Sequence, residues 1–255
     1  MSDGPEAKGP EAKGLPPIDV NEYGGKKDGV KQAMNRRLFM QLLVFRIPTD
    51  DRTSPDLVGA ELVKTLRDRR IPGVVYADTM DPRSVGLLTW SEDPAMFVQK
   101  VRPLFSEPAL AHVQLRDDYA MIGRSYGTGH EPDLEWFILK RPIENVTNES
   151  TRWHVWYPLR RKGSFAKLEP IDQSHILREH AALGIAYGQA ELATDVRLAC
   201  HGLDANDNEF VIGLVGKDLH PLSHLVQGMR KTRQTSEFIE KMGPFFVGYV
   251  LGTSA

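Results

Sequence analysis

Residues 175–184, HILREHAALG, set one histidine, His180, inside a run with the periodicity of an amphipathic helix. An imidazole there can fill space, hold a proton or ligate a metal. Its spacing shares a helix face with Ile176, Leu177 and Leu183 or Gly184, the surroundings of an ordinary core histidine. The small residues Ala181, Ala182, Gly184 and Ala186 would equally let something flat approach the backbone. A planar macrocycle whose iron is held by one neutral imidazole suits that space, as in haem proteins. Arg230, in GMRKTRQTSEF, carries a donor fork that matches the two oxygens of a carboxylate. It can also be one more cation of a solvated helix face, beside Lys231 and Arg233.

The remaining histidines, His112, His130, His154, His175, His201, His220 and His224, show no metal-binding spacing except His220 and His224, four residues apart. That pair follows KDL and spans Pro221, which suits a helix start better than a zinc site. The glycines of GRSYGTG, residues 123–129, resemble a phosphate loop only superficially, because no helix follows; they predict strand-end turns. A single cysteine, Cys200, excludes an intramolecular disulfide and a cysteine-based zinc cluster. With a formal charge of −2, no basic field argues for nucleic acid. No apolar run approaches the roughly 18 residues of a membrane span, and no secretory signal pattern opens the chain. A soluble, cytoplasmic protein is the expectation.

The elements that must position these groups repeat. Residues 1–34, with the duplicated GPEAKGPEAKG, predict a flexible arm, since this composition buries too little apolar surface to offset chain entropy. RLFMQLLVFRI (37–47) predicts a strand, and SPDLVGAELVKTLRDRR (54–70) a helix capped by Ser54. GVVYADTMDPRSVGLLTW predicts a hairpin, SEDPAMFVQKVRPLFSEPAL a helix interrupted by proline, and DYAMIGRSYGTG a strand. The second half predicts the same βαββαβ order: strand WHVWYPL, helix DQSHILREHAALGIAYG, a hairpin turning at LDANDN, helix DLHPLSHLVQGMRKTRQTSEFIEKM and strand GPFFVGYVLGT. At an offset of 125 residues Asp93 repeats as Asp218, Gly123 as Gly248, Gly127 as Gly252 and Thr128 as Thr253. The expectation is α+β, with units over 35–142 and 152–255 joined by a linker at 143–151. Each unit's sheet needs cover on one face, and two units in one chain can close into a barrel.

WYPLRRKGSF, LREHAALGIAYG, GLDANDNEFVIGLVGKD, VQGMRKTRQTSEF and GPFFVG together resemble the chlorite dismutase and coproheme decarboxylase superfamily of haem proteins. The resemblance spans about residues 37–252 in architecture and is motif-specific from about 153 onward. It implies two ferredoxin-like repeats in a dimeric α+β barrel, haem b or coproheme as cofactor, and a homopentameric ring. It also implies that His180 is the proximal iron ligand. Tyr157 then stands where decarboxylases carry the tyrosine that takes hydrogen from a propionate; otherwise it is a β-former with its hydroxyl at the rim. Arg230 and Thr235 match the positions that grip propionates. Arg197, counted back from Glu209, falls at a distal position that chlorite dismutases fill with arginine, where a guanidinium steadies an anion; counted from His180 that position is Ala193. In the hairpin's polar ATDVR it can instead face solvent. Phe165 departs from the family, whose members carry tryptophans shortly after the YP motif. The implied activity is peroxide-driven decarboxylation of coproheme to haem b. The alternatives are chlorite dismutation and a non-catalytic haem-binding or structural role.

Overall fold

The computed structural model describes residues 17–49 and 54–254. A hairpin comes first, β1 (Glu22–Lys27) and β2 (Val30–Met34), turning at Asp28 and Gly29, both at positive φ. For residues 22–34 this hairpin corrects the flexible arm expected over residues 1–34. Few apolar side chains hold this hairpin; Glu22 instead accepts from Arg37, Arg124 and the backbone N–H of Gly127. The duplicated GPEAK segment lies outside the described residues.

The first unit runs β3 (Phe39–Arg46), α1 (Pro55–Arg69), β4 (Gly73–Asp78) and β5 (Ser84–Ser91). A π-helical turn (Phe97–Val101) running into a 3-10 turn (Arg102–Ser106) follows, then β6 (Gln114–Leu115) and β7 (Met121–Ser125). The proline expected to interrupt that helix, Pro103, sits where the winding changes, consistent with its missing N–H. Ser54 caps α1 as its sequence predicts, accepting from Leu57 N at 3.2 Å, and Pro55 occupies the first helical position. The second unit runs β8 (Trp153–Arg161), α3 (Pro170–Gln189), β9 (Thr194–Ala199), β10 (Phe210–Gly216), α4 (Leu219–Met229), α5 (Arg233–Phe238), β11 (Ile239–Met242) and β12 (Phe246–Ser254).

Two boundaries differ from expectation. The linker expected over 143–151 begins inside α2 (Arg141–Thr147), which continues a π-helical turn at Trp136–Lys140. Ile138, Leu139 and Val146 are buried, so this segment plugs the core. The single helix expected after Asp218 stops at Met229, because Thr232 adopts an extended backbone and starts α5. Its last residues, Ile239–Met242, pair with β8 as a strand.

Strand order is β7-β3-β5-β4 in the first unit and β12-β8-β10-β9 in the second, the same order of fourth, first, third and second strand. Pairings of β7 with β9 and β4 with β12 join the two units, and β10 with β8 completes the closed barrel. The 125-residue offset also relates β6 to β11, each pairing with the far end of its unit's first strand. Its glycines stand at the two seams. A Cβ on Gly123 would lie 2.6 Å from Leu198, and one on Gly248 2.7 Å from Phe246 and 2.9 Å from Tyr76.

Alternation along the strands sends one set of side chains into the barrel and the other outward. Met40, Leu42, Val44, Tyr76, Trp156, Val196 and Leu198 fill the interior. Outside, Phe45, Leu87 and Val75 meet α1 through Val58, Leu62 and Leu66. On the second unit Val155, Tyr157, Leu159 and Leu214 meet α3 and α4. The α+β class and the two-unit closed barrel expected from the repeat are observed.

Candidate functional site

The site residues lie on this outer face of the second unit, between its sheet and α3, α4 and α5. Helix α3 turns Gln173, Ile176, His180, Leu183 and Tyr187 inward, a spacing of three and four residues. Leu177, expected beside His180, is exposed. Ala181, Ala182 and Ala186 also face outward, because successive residues rotate by about 100° around the axis. Only Gly184 of the small residues flanks the histidine, and a Cβ there would meet one atom within contact range, Met229 Cε at 3.6 Å.

His180 Nδ1 lies 3.3 Å from the Thr232 hydroxyl. That hydroxyl gives its one proton to the Met229 carbonyl at 2.7 Å, so toward the imidazole it accepts. Nδ1 therefore carries the hydrogen, and Nε2 keeps a lone pair with no hydrogen-bond partner among the described residues. Burial holds the imidazole's pKa below its ordinary value, and the nearby Arg197 adds to this against Asp195 and Glu179. Thr235 joins the same chain, its hydroxyl 3.5 Å from that of Thr232.

Across from the helix, one cross-strand row carries the other groups. Tyr157 pairs with Ile212, and Ile212 with Arg197. Arg124 and Ser125 pair with Ala199 and Leu198, so continuing that register puts Tyr126 beside Arg197. Residues opposite one another in a sheet point to the same face, so the row presents Tyr126, Arg197, Ile212 and Tyr157 together. Tyr157 is buried and stacks on Phe245, with ring centroids 4.5 Å apart. Burial raises its phenol well above the ordinary tyrosine pKa; Asp195 adds to the rise and the Arg230 guanidinium opposes it. Arg230 itself is exposed just past the end of α4. Arg197 is charge-paired, with Nε 3.2 Å from Asp195 Oδ2, and its guanidinium lies 5.0 Å from the Phe137 ring centroid. Ala193, the other distal possibility, is buried on the same strand face two residues before Asp195.

Phe165, the departure from the family pattern noted in the sequence, packs on Phe238 with centroids 5.4 Å apart, in a cluster with Ile176. Its role here is to seat the first half of α3. Thus the structure gathers His180, Thr235, Tyr157, Arg230 and Arg197 around one face. Thr232, Asp195, Phe137 and Tyr126 were not read as site residues. Thr232 was legible as a helix cap, and Asp195 by alternation with Arg197; Phe137 and Tyr126 arrive from the first unit and the joining helix, which no local pattern links to this face.

Solved structures share this architecture. A heme-binding protein from Thermus thermophilus superposes with a TM-score of 0.67 at 17% identity, covering 85% of this chain and 92% of its own. A tryptophan-to-phenylalanine mutant of chlorite dismutase from Candidatus Nitrospira defluvii, in complex with cyanide, gives 0.66 at 14% identity, covering 84% and 91%. The same enzyme with imidazole gives 0.65 at 12% identity, covering 84% and 91%. Residues 139–251 match the chlorite dismutase family model.

The fold is shared with solved chlorite dismutases.

The superfamily resemblance read from the motifs is thereby borne out, and the family match spans the joining helix and the second unit, where those motifs cluster. No curated protein matches the chain in sequence. The donor set fits a haem: a neutral imidazole with one nitrogen committed and the other free. No described helix is long and apolar enough to cross a membrane. Among the described residues no group of three or more His, Cys, Asp or Glu side chains could hold a bare metal ion.

Proposed function

We propose that the protein is a haem-dependent oxidoreductase that converts coproheme to haem b with hydrogen peroxide. The observation that carries this reading is Tyr157, a buried phenol in one row with Arg197 and packed in one layer with Leu183 of the helix of His180. The bound iron would supply the oxidising chemistry. For each propionate, one peroxide and one proton are consumed, and carbon dioxide, a vinyl group and two waters are released. His180 would hold the metal through Nε2, with Thr232 keeping Nδ1 protonated and the ring oriented. Arg230 and Thr235 would grip carboxylates, Arg230 as a fork at the exposed rim. Tyr157 would first give its phenolic hydrogen atom to the oxidising centre and then take one back at Oη from a propionate chain, which restores the phenol; at rest, burial disfavours the phenolate. The reading extends to a cytoplasmic homopentamer, which light scattering would weigh.

The test is coproheme titration under anaerobic conditions, followed by peroxide, with porphyrin products weighed by mass spectrometry. Loss of carbon dioxide in the wild type, with Tyr157→Phe binding coproheme normally and bleaching it instead, is the expected result. Arg230→Ala should weaken coproheme binding first, by about tenfold, as one charge-assisted fork is removed. Decarboxylation by Tyr157→Phe at the wild-type rate would remove the relay role. Arg197 favours a second reading, chlorite dismutation, because a guanidinium in this row can steady an anion. Dioxygen release from chlorite at an oxygen electrode, without loss of carbon dioxide from coproheme, would put that reading first.

A further inference from the structure

Arg197 and Arg141 share one carboxylate, Asp195, which meets Arg197 by charge alone and Arg141 by a hydrogen bond. Asp195 Oδ2 lies 3.2 Å from Arg197 Nε, while Asp195 Oδ1 accepts from Arg141 Nη2. Arg141 opens α2 and also reaches Thr194 Oγ1 at 3.4 Å; Asn145, one turn on, donates to the Asp195 backbone carbonyl at 2.9 Å. Both guanidinium groups lie over Phe137, at 5.0 and 5.1 Å from its centroid. The joining helix thus clamps Asp195 in place. An anion that seeks Arg197 must compete with a carboxylate already there, whereas a neutral molecule need not.

We propose that Asp195, clamped by Arg141 and Asn145, is a positioning residue that holds Arg197 and makes this site select neutral distal ligands and oxidants, such as hydrogen peroxide, over anionic ones. This rests on the haem-dependent reading above, with Arg197 on the distal side. It assigns the charge class of the oxidant to a residue outside the row.

The test uses full-length protein loaded with haem b, with fluoride as anionic probe and imidazole as neutral probe, each titrated at the Soret band. Asp195→Asn frees Arg197 and should tighten fluoride at least about fivefold, the scale of one partly exposed ion pair. Arg141→Gln should act in the opposite sense, weakening fluoride severalfold, because Asp195 then serves Arg197 alone and a cation has been removed. A purely structural role for either residue would not move the two in opposite directions. Imidazole affinity should stay within about twofold in both variants. Asp195→Glu should keep the wild-type preference, and adding Arg197→Ala to Asp195→Asn should erase the gain. Fluoride binding unchanged or weakened in Asp195→Asn overturns the proposal alone. A wild type that takes up no haem overturns the haem reading and this proposal together.

Discussion

The bond made by one ring nitrogen decides what the other can do. Because Thr232 accepts from His180 Nδ1, the tautomer leaves Nε2 free, and His180→Ala should abolish haem uptake, checked by the absence of a Soret band on titration. The partly exposed ring makes few core contacts, so melting in the haem-free state should shift little. An unchanged Soret maximum in the variant would make His180 a packing residue. Thr232→Val keeps the volume but deletes the acceptor. Loss of such a supporting bond typically costs about tenfold or more in metal affinity, and a haem titration that shows the wild-type affinity would leave Thr232 with its bond to the Met229 carbonyl alone.

Among the α-helices, α3 buries the smallest share of its residues. Of its 20 residues only Ile176 is fully buried, whereas α1 buries five of its 15. Leu183 and Met229 pack in the same layer as Tyr157, Phe245 and Ile212, so a flat ligand seated beside Gly184 must part this helix from the sheet. A helix with few buried contacts opens at low cost. Amide exchange in the haem-free protein should therefore be faster along α3 than along α1, and haem should slow it over α3 selectively. Uniform protection of both helices before and after loading would argue against an opening layer.

At the scale of the whole molecule, the barrel interior holds a polar pair that makes no contact with the site row. Tyr76 Oη and His154 Nδ1 are 2.8 Å apart, and His154 Nε2 lies 3.1 Å from the Thr151 carbonyl. A carbonyl only accepts, so Nε2 carries the proton and Tyr76 donates to Nδ1. Burial pushes the His154 pKa down to about 4. Between that value and its ordinary 6.5 the unfolded chain binds a proton that the folded protein refuses. Stability is therefore full above about pH 6.5 and falls toward pH 4, by an amount on the order of 3 kcal/mol for this residue. Denaturant titrations across that range should show the acid slope, and His154→Asn should flatten it; an equal slope in both proteins would assign acid sensitivity elsewhere. Cys200, also buried, has its thiol pushed up to about 12 and should resist alkylation in the folded state.

Periodicity and caps are local properties, and they were legible in the sequence: Ser54 and Pro55 opening α1, the helix of His180, the two βαββαβ units and the 125-residue offset at the seams. The face of α3 was legible less well, since Leu177 and the alanines beside His180 turn outward where a looser reading put them inward. Residues joined only through barrel closure were not legible. Glu22 reaches Arg124 across 102 positions, His180 reaches Thr232 across 52, and Arg141 reaches Asp195 across 54. Such contacts depend on strand register and on which helix closes over which sheet, and many residue pairs at those separations satisfy the same local pattern. By itself, then, the sequence determined the elements, their repetition and the residues with chemistry to offer. Only the tertiary structure decided that Tyr126, Arg197 and Tyr157 share one row, and which ring nitrogen His180 leaves free, because those are settled by neighbours that closure of the barrel brings from far along the chain.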